Sequence, residues 1–166
     1  MDNKKLVRGA LLIAAALVLQ SLRLVLPMPQ ILSTFIIGTL VHMMLALTLW
    51  LNGRTAALLL SLLLPLTAYA QGQLLLPLLI PVVMLGNALF VLLLDLLQQP
   101  RMKLLVPPAV KAAAMCAAAW LLLDFVSLPG PAARAAVMFA MSVPQFVTGL
   151  AGLLCACRME PILRKL

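Results

Sequence analysis

Apolar residues run along this chain in long blocks, separated by short clusters of glycine, proline, glutamine and basic residues. Blocks of ~20 apolar residues match the length an α-helix needs to cross the hydrocarbon of a bilayer. A helix also satisfies its own backbone N–H and C=O groups there, where no water does so. The breakers predict six such helices, at 6–26, 31–51, 54–70, 75–97, 107–126 and 132–157. Pro27-Met28-Pro29, Asn52-Gly53-Arg54, Gln71-Gly72-Gln73, the stretch Gln98 to Val106 with Pro100, and Pro129-Gly130-Pro131 supply the turns. Lys4-Lys5 and Arg8, followed by an apolar run with Ala14-Ala15-Ala16, imitate a signal peptide, but five more hydrophobic segments follow. The stretch therefore reads as the first span. The expected fold class is all-α: a polytopic membrane protein, one transmembrane domain over 1–166, built as a compact bundle of six transmembrane helices with no soluble domain.

Composition leads to lipid independently of the pattern. At 65% hydrophobic, 10% charged and a mean hydropathy of +1.18, the chain has too little polar surface to cover a water-soluble globule. The net charge of +8 raises nucleic acid as a partner, but Lys and Arg are spaced singly and fall mostly at span ends, without a basic stripe. No nucleic-acid partner is expected. The charge reads as topology instead, because cytoplasmic loops collect Lys and Arg. With the N-terminus inside, Lys4, Lys5, Arg8, Arg54, Arg101, Lys103, Arg158, Arg164 and Lys165 lie on the cytoplasmic side, with Lys111 near the inner end of helix five. The outer side keeps Arg23 and Arg134. Ten against two predicts N-in and C-in, with the cytoplasmic membrane as the location. Cys116, Cys155 and Cys157 fall in apolar segments and read as packing residues. Cys155 and Cys157, two apart, point to nearly opposite sides of a helix and cannot easily clamp one metal ion.

Polar groups inside spans cost free energy unless partnered, so they point to candidate sites. Gln20 and Arg23 lie in the outer part of helix one, Gln30, Ser33 and Thr34 follow its turn, and Tyr69, Gln71 and Gln73 mark the outer end of helix three. His42, Asn87 and Gln145 fall deeper, ~14–20 Å below the outer surface. Helices one, two, four and six thus converge on an expected cavity open to the outside. Gln20 and Arg23, three apart on one face, suit a carboxylate or phosphate of an entering ligand, although an arginine near a helix end also reaches the interface by snorkelling. His42 reads as hydrogen-bonded to a neighbouring helix or as a proton carrier or ligand. Asn87 follows Gly86, where close approach is possible, and reads equally as a ligand contact or an interhelical hydrogen bond. Pro144 frees a carbonyl one turn before Gln145, which suits backbone that lines a cavity. The substrate-binding candidates are Gln20, Arg23, His42, Tyr69, Gln71, Asn87 and Gln145.

Ala10 and Ala14, four apart, form a second kind of surface, since small residues let helices pack closely. Their face lies more than ~100° around the helix from the Gln20 and Arg23 face, so one helix can serve a partner and a ligand separately. No P-loop, paired carboxylates, Ser and His pair in a plausible motif, or HExxH occurs. Neither an enzyme nor a bound cofactor or metal is expected.

Three segments carry a family resemblance. Lys5-Leu6-Val7-Arg8-Gly9-Ala10-Leu11-Leu12-Ile13-Ala14 looks like the first helix of substrate-binding S components of energy-coupling factor (ECF) transporters. Pro81-Val82-Val83-Met84-Leu85-Gly86-Asn87-Ala88 and Pro144-Gln145-Phe146-Val147-Thr148-Gly149-Leu150 are similar to later segments of small proteins of this kind. The resemblance spans nearly the full length. It implies capture of a vitamin or related micronutrient from outside, then association with a transmembrane T component and two ATPase subunits. Ala10 and Ala14 match the position of the family's alanine motif for docking on the T component. ATP hydrolysis in the partners would drive a toppling movement that exposes the ligand to the cytoplasm. A six-span scaffold of the cell-shape rod complex has similar size and binds proteins instead. Its mid-membrane polar residues would satisfy one another and leave no cavity.

Overall fold

The computed structural model describes residues 3–26, 28–74, 76–126 and 129–165, so Pro27 of the first predicted turn lies outside it. The described helices are α1 (Asn3–Val25), α2 (Gln30–Asn52), α3 (Arg54–Ala70), α4 (Leu79–Leu96), α5 (Pro100–Leu122), α6 (Pro131–Ala140) and α7 (Val143–Leu163). A 3-10 turn at Leu123–Phe125 closes α5, and no strand occurs among the described residues. Five segments are long and apolar enough to cross a membrane: α1, α2, α4, α5 with its 3-10 turn, and α6 with α7. At 17 residues, or ~26 Å, α3 is shorter. Large apolar side chains face outward all round the bundle, including Leu11, Val25, Ile31 and Phe125. Lipid is the solvent such a surface needs. The chain is a multi-pass membrane protein built as a helical bundle.

Glycine and proline set the boundaries. Gly53 takes φ 95°, a conformation glycine adopts without strain, and its N–H bonds Leu49 O, so α2 turns into α3 across a single residue. Pro100 and Pro131 occupy the first positions of α5 and α6, where the missing N–H costs nothing.

Two predicted boundaries are corrected. Helix five starts at Pro100, not at 107, and Pro107 and Pro108 lie inside it. Each forfeits one bond to the carbonyl four residues earlier, but both are buried, and Pro108 packs on Gly149 of α7. A Cβ on Gly149 would sit 2.9 Å from that of Pro108. The sixth predicted helix is broken at Met141-Ser142, and α7 alone, at 21 residues or ~32 Å, is long enough to cross. Pro144 lacks the N–H that would bond Ala140 O. The Gln145 side chain takes its place, donating from Nε2 to Ala140 O at 3.0 Å.

Packed in the order α1, α3, α4, α5, α7 and α2, the helices close a ring, and α2 also touches α3 and α4 across it. The seam of α2 with α7 is tight because Gly152 leaves no room there. A Cβ on it would meet His42 Cβ at 2.6 Å and Thr39 O at 2.7 Å. One apolar core joins Leu45, Leu47, Leu60, Phe90, Leu94 and Leu153, and a smaller one joins Leu79, Val82, Met115, Ala119 and Met141.

The two chain termini lie at one end of the bundle, where Asn3, Arg8, Leu51 and Leu163 border a common hollow. Arg54 Nε donates to Asp95 Oδ2 at 2.6 Å and ties α3 to α4 at that same end. Most of the basic residues gather there, as the charge pattern predicts; Arg23 and Arg134 lie at the other end. Lys111 is the exception, at the middle of α5. Cys155 and Cys157 are exposed on the bundle's exterior, and only Cys116 is partly buried, so the first two are not the packing residues expected.

Candidate functional site

Three polar side chains meet between the two apolar cores. His42 is the thirteenth of 23 residues in α2, Asn87 the ninth of 18 in α4, and Lys111 the twelfth of 23 in α5. Each is at the middle of its helix, ~12–18 Å from either end. All three are almost completely buried. Lys111 Nζ lies 2.6 Å from Asn87 Oδ1 and 2.7 Å from His42 Nε2. On its other side the imidazole holds Nδ1 2.6 Å from Gly38 O. A carbonyl only accepts, so Nδ1 carries the proton and Nε2 accepts from Lys111. The Phe90 ring meets His42 edge to face, with centroids 5.1 Å apart, and lies 5.9 Å from Lys111 Nζ. Gly86 admits this arrangement, because a Cβ there would come 2.5 Å from Met115 Cγ and 3.4 Å from Lys111 Cγ.

His42, Asn87 and Lys111 floor a cavity of about 160 Å³. Gln20 and Arg23 of α1, Thr34 and Gly38 of α2, Leu64 and Ala68 of α3, Val83 of α4, and Gln145 and Thr148 of α7 form its walls, with Gln73 from the connection between α3 and α4. Arg23, Thr34, Ala68, Gln73 and Gln145 all belong to the end opposite the termini. The cavity thus runs from that end to the bundle's middle. An adjoining hollow of about 360 Å³ shares Arg23 and Gln73 with it and is bordered by Gln30, Ser33 and Gln71.

The structure brings together five of the seven substrate-binding candidates: Gln20, Arg23, His42, Asn87 and Gln145 all line the cavity. Gln71 borders the adjoining hollow instead, and Tyr69, 43% exposed, lines neither. Gln145 sits in the first turn of α7, not midway along a continuous helix. Its Nε2 is committed to Ala140 O, so its Oε1 remains for the cavity. Gln20 donates to Leu64 O and Thr67 Oγ1, both at 3.0 Å, so it offers an acceptor and not the donor expected of it. Gln71 donates to Ser21 Oγ at 2.7 Å, and Gln73 donates to Gln71 Oε1 at 2.7 Å and to Gln20 O at 3.4 Å. These amides stitch the connection between α3 and α4 onto α1. Ala10 and Ala14 lie on the exposed side of α1, away from buried Gln20.

Lys111 is the residue that sequence reasoning misplaced. Starting helix five at Pro107 put it near the inner end, where a lysine counts toward topology. The available signal was Gln98-Gln99-Pro100, a polar pair before a proline, which is an equally good helix start. From there Lys111 falls at the centre.

The site is electropositive. Among the described residues, Asp95, Asp124 and Glu160 pair with Arg54, Arg134 and Arg164, and no carboxylate faces the cavity. No group of His, Cys, Asp and Glu suited to holding a metal ion occurs among them either. No family model, curated protein or solved structure matches the chain.

Proposed function

We propose that this chain is the substrate-binding S subunit of an ECF-type importer of the cytoplasmic membrane, capturing a vitamin or similar micronutrient from outside. One observation carries the reading: a cavity of about 160 Å³ runs from Arg23 to a buried polar floor at the middle of the bundle. Buried polar and ionisable groups in a membrane bundle mark solute pathways when they face a cavity. The positive-inside rule turns the open end outward, where a receptor collects its solute. The exposed Ala10 and Ala14 face of α1 is free of the ligand site and suits docking on a T component. Release to the cytoplasm is then the work of that partner and two ATPases.

Mild-detergent affinity purification followed by mass spectrometry of proteins and extracted small molecules tests the proposal. A T component and two ATPases together with a stoichiometric metabolite are expected. Cell-wall synthesis proteins without a metabolite would favour the rod-complex scaffold. That reading has its own support in the way Lys111, His42 and Asn87 satisfy one another. A scaffold, however, has no use for the cavity above them. Arg23→Glu separates the two at the mouth. It should weaken binding of an anionic solute by more than about tenfold without loss of folded protein, whereas unchanged affinity removes Arg23 from the site.

A further inference from the structure

We infer that the cavity selects a compact carboxylate, with Lys111 as the group that anchors it. This rests on the reading above that a solute reaches the floor from the Arg23 end.

A lysine ammonium has three N–H donors. Two are taken by neutral acceptors, His42 Nε2 and Asn87 Oδ1. Lys111 is only 1% exposed, and every described carboxylate is paired with an arginine elsewhere. The chain thus places in the middle of a bundle a lysine whose protonated form has no counter-charge among the described residues. Protonating a buried lysine without a partner is costly, and a bound anion offsets that cost by pairing with the ammonium.

The second donor is next to the first. Asn87 turns Oδ1 to Lys111 and lines the cavity, so Nδ2 is the end of its amide that it has to offer a ligand. Two adjacent donors match the two oxygens of one carboxylate. A phosphate carries more charge and more acceptor sites than this floor answers, and the second cation, Arg23, is at the far end of the cavity. Arg23 acts there to attract the anion, as clefts lined by one sign of charge concentrate the opposite ion.

Volume limits the rest of the ligand. About 160 Å³ is close to the ~150 Å³ of an engineered cavity that admits benzene, so one six-membered ring or a branched chain of similar bulk fills the space. Gln20 and Gln145 present acceptors along the wall, which suits a ligand with an N–H or O–H group away from its carboxylate.

The test uses the purified full-length chain in detergent and the probes benzoate and isovalerate, each against its neutral amide, with unfolding temperature and calorimetric titration as readouts. Binding of a ligand to the folded state raises the unfolding temperature. At least one carboxylate should bind, and its amide should bind at least about tenfold more weakly. Lys111→Met, which keeps chain length and apolar bulk, should abolish the difference. The wild-type comparison of acid with amide stands without the variant if that variant folds poorly. No binding by either carboxylate, or equal binding of acids and amides, overturns the proposal. Affinity rising from isovalerate to decanoate also overturns it and assigns the carboxylate to a lipid chain. These readouts need no ATPase partner, so carboxylate binding without copurifying ATPases would retain the site and retire the importer.

Discussion

At the scale of single residues, the proposed binding floor turns on whether Lys111, His42 and Asn87 behave as a unit. Both bonds made by Lys111 are short, and both cross between helices: α5 to α2 and α5 to α4. Hydrogen bonds inside membrane bundles are worth only ~0.6 kcal/mol on average and ~1.7 kcal/mol at most in double-mutant cycles, because polar groups in unfolded helices also find partners. A lysine confined among apolar side chains has fewer alternatives. Asn87→Leu removes one of its two acceptors and is expected to cost about 1–3 kcal/mol of stability, the range for stranding a buried donor. In a Lys111→Met background the same change should cost less, with a coupling of at least ~0.5 kcal/mol in a double-mutant cycle read by unfolding in mixed micelles. Strict additivity would mean that the two side chains do not depend on each other. His42, Asn87, Gln20, Arg23 and Gln145 were legible in the sequence because polar residues stand out in apolar runs. What their amides do was not. Gln20 directs its nitrogen to Leu64 O inside α3 and Gln145 to the Ala140 O that Pro144 leaves open, and only the fold shows which carbonyls those are.

Helix positions were legible to within a few residues wherever glycine or a polar cluster ended an apolar run, as at Asn52-Gly53 and Gln71-Gly72. Proline was the ambiguous signal. Pro100, Pro107 and Pro108 all suit a helix start, and the choice among them decides whether Lys111 is terminal or central. Length favours the earlier start, since 23 residues span ~34 Å and cover the hydrocarbon. Packing between elements left a fainter trace, in the glycines of α2 and α7. Gly152 and Gly9 allow a graded test. A side chain at Gly152 would run into the α2 backbone at Thr39 O and Met43 N, 2.7 and 2.8 Å away, and backbone cannot step aside. Gly152→Leu should therefore force α2 and α7 apart, losing about 3 kcal/mol or more and opening the wall beside His42. Gly9 meets only the Asn52 side chain, which borders a hollow and has room to swing. Gly9→Ala should stay within about 1 kcal/mol of wild type. Equal losses at the two sites, measured as detergent unfolding midpoints, would show that the α2–α7 seam yields more readily than its geometry implies.

For the whole molecule, orientation decides what the cavity can receive. The charge asymmetry that sets it outlasts the correction at Lys111. With that lysine moved to mid-bundle, nine basic residues remain at the end that carries the termini against Arg23 and Arg134 at the other. Pairing does not erase the difference. Arg54 and Arg164 are neutralised by Asp95 and Glu160 at the basic end, but Arg134 is neutralised by Asp124 at the other, and acidic residues contribute little to the rule in any case. The open end of the cavity should therefore face outward. Single cysteines test this in a background with Cys116, Cys155 and Cys157 replaced by alanine. Ala132→Cys, exposed at the start of α6, should react with a membrane-impermeant maleimide in intact cells. Gln98→Cys, exposed between α4 and α5, should react only after the membrane is permeabilised. The opposite pattern would open the cavity to the cytoplasm. A cation pair reached from that side draws on cytoplasmic anions, and capture from outside would be excluded even if Lys111 proved to hold a carboxylate.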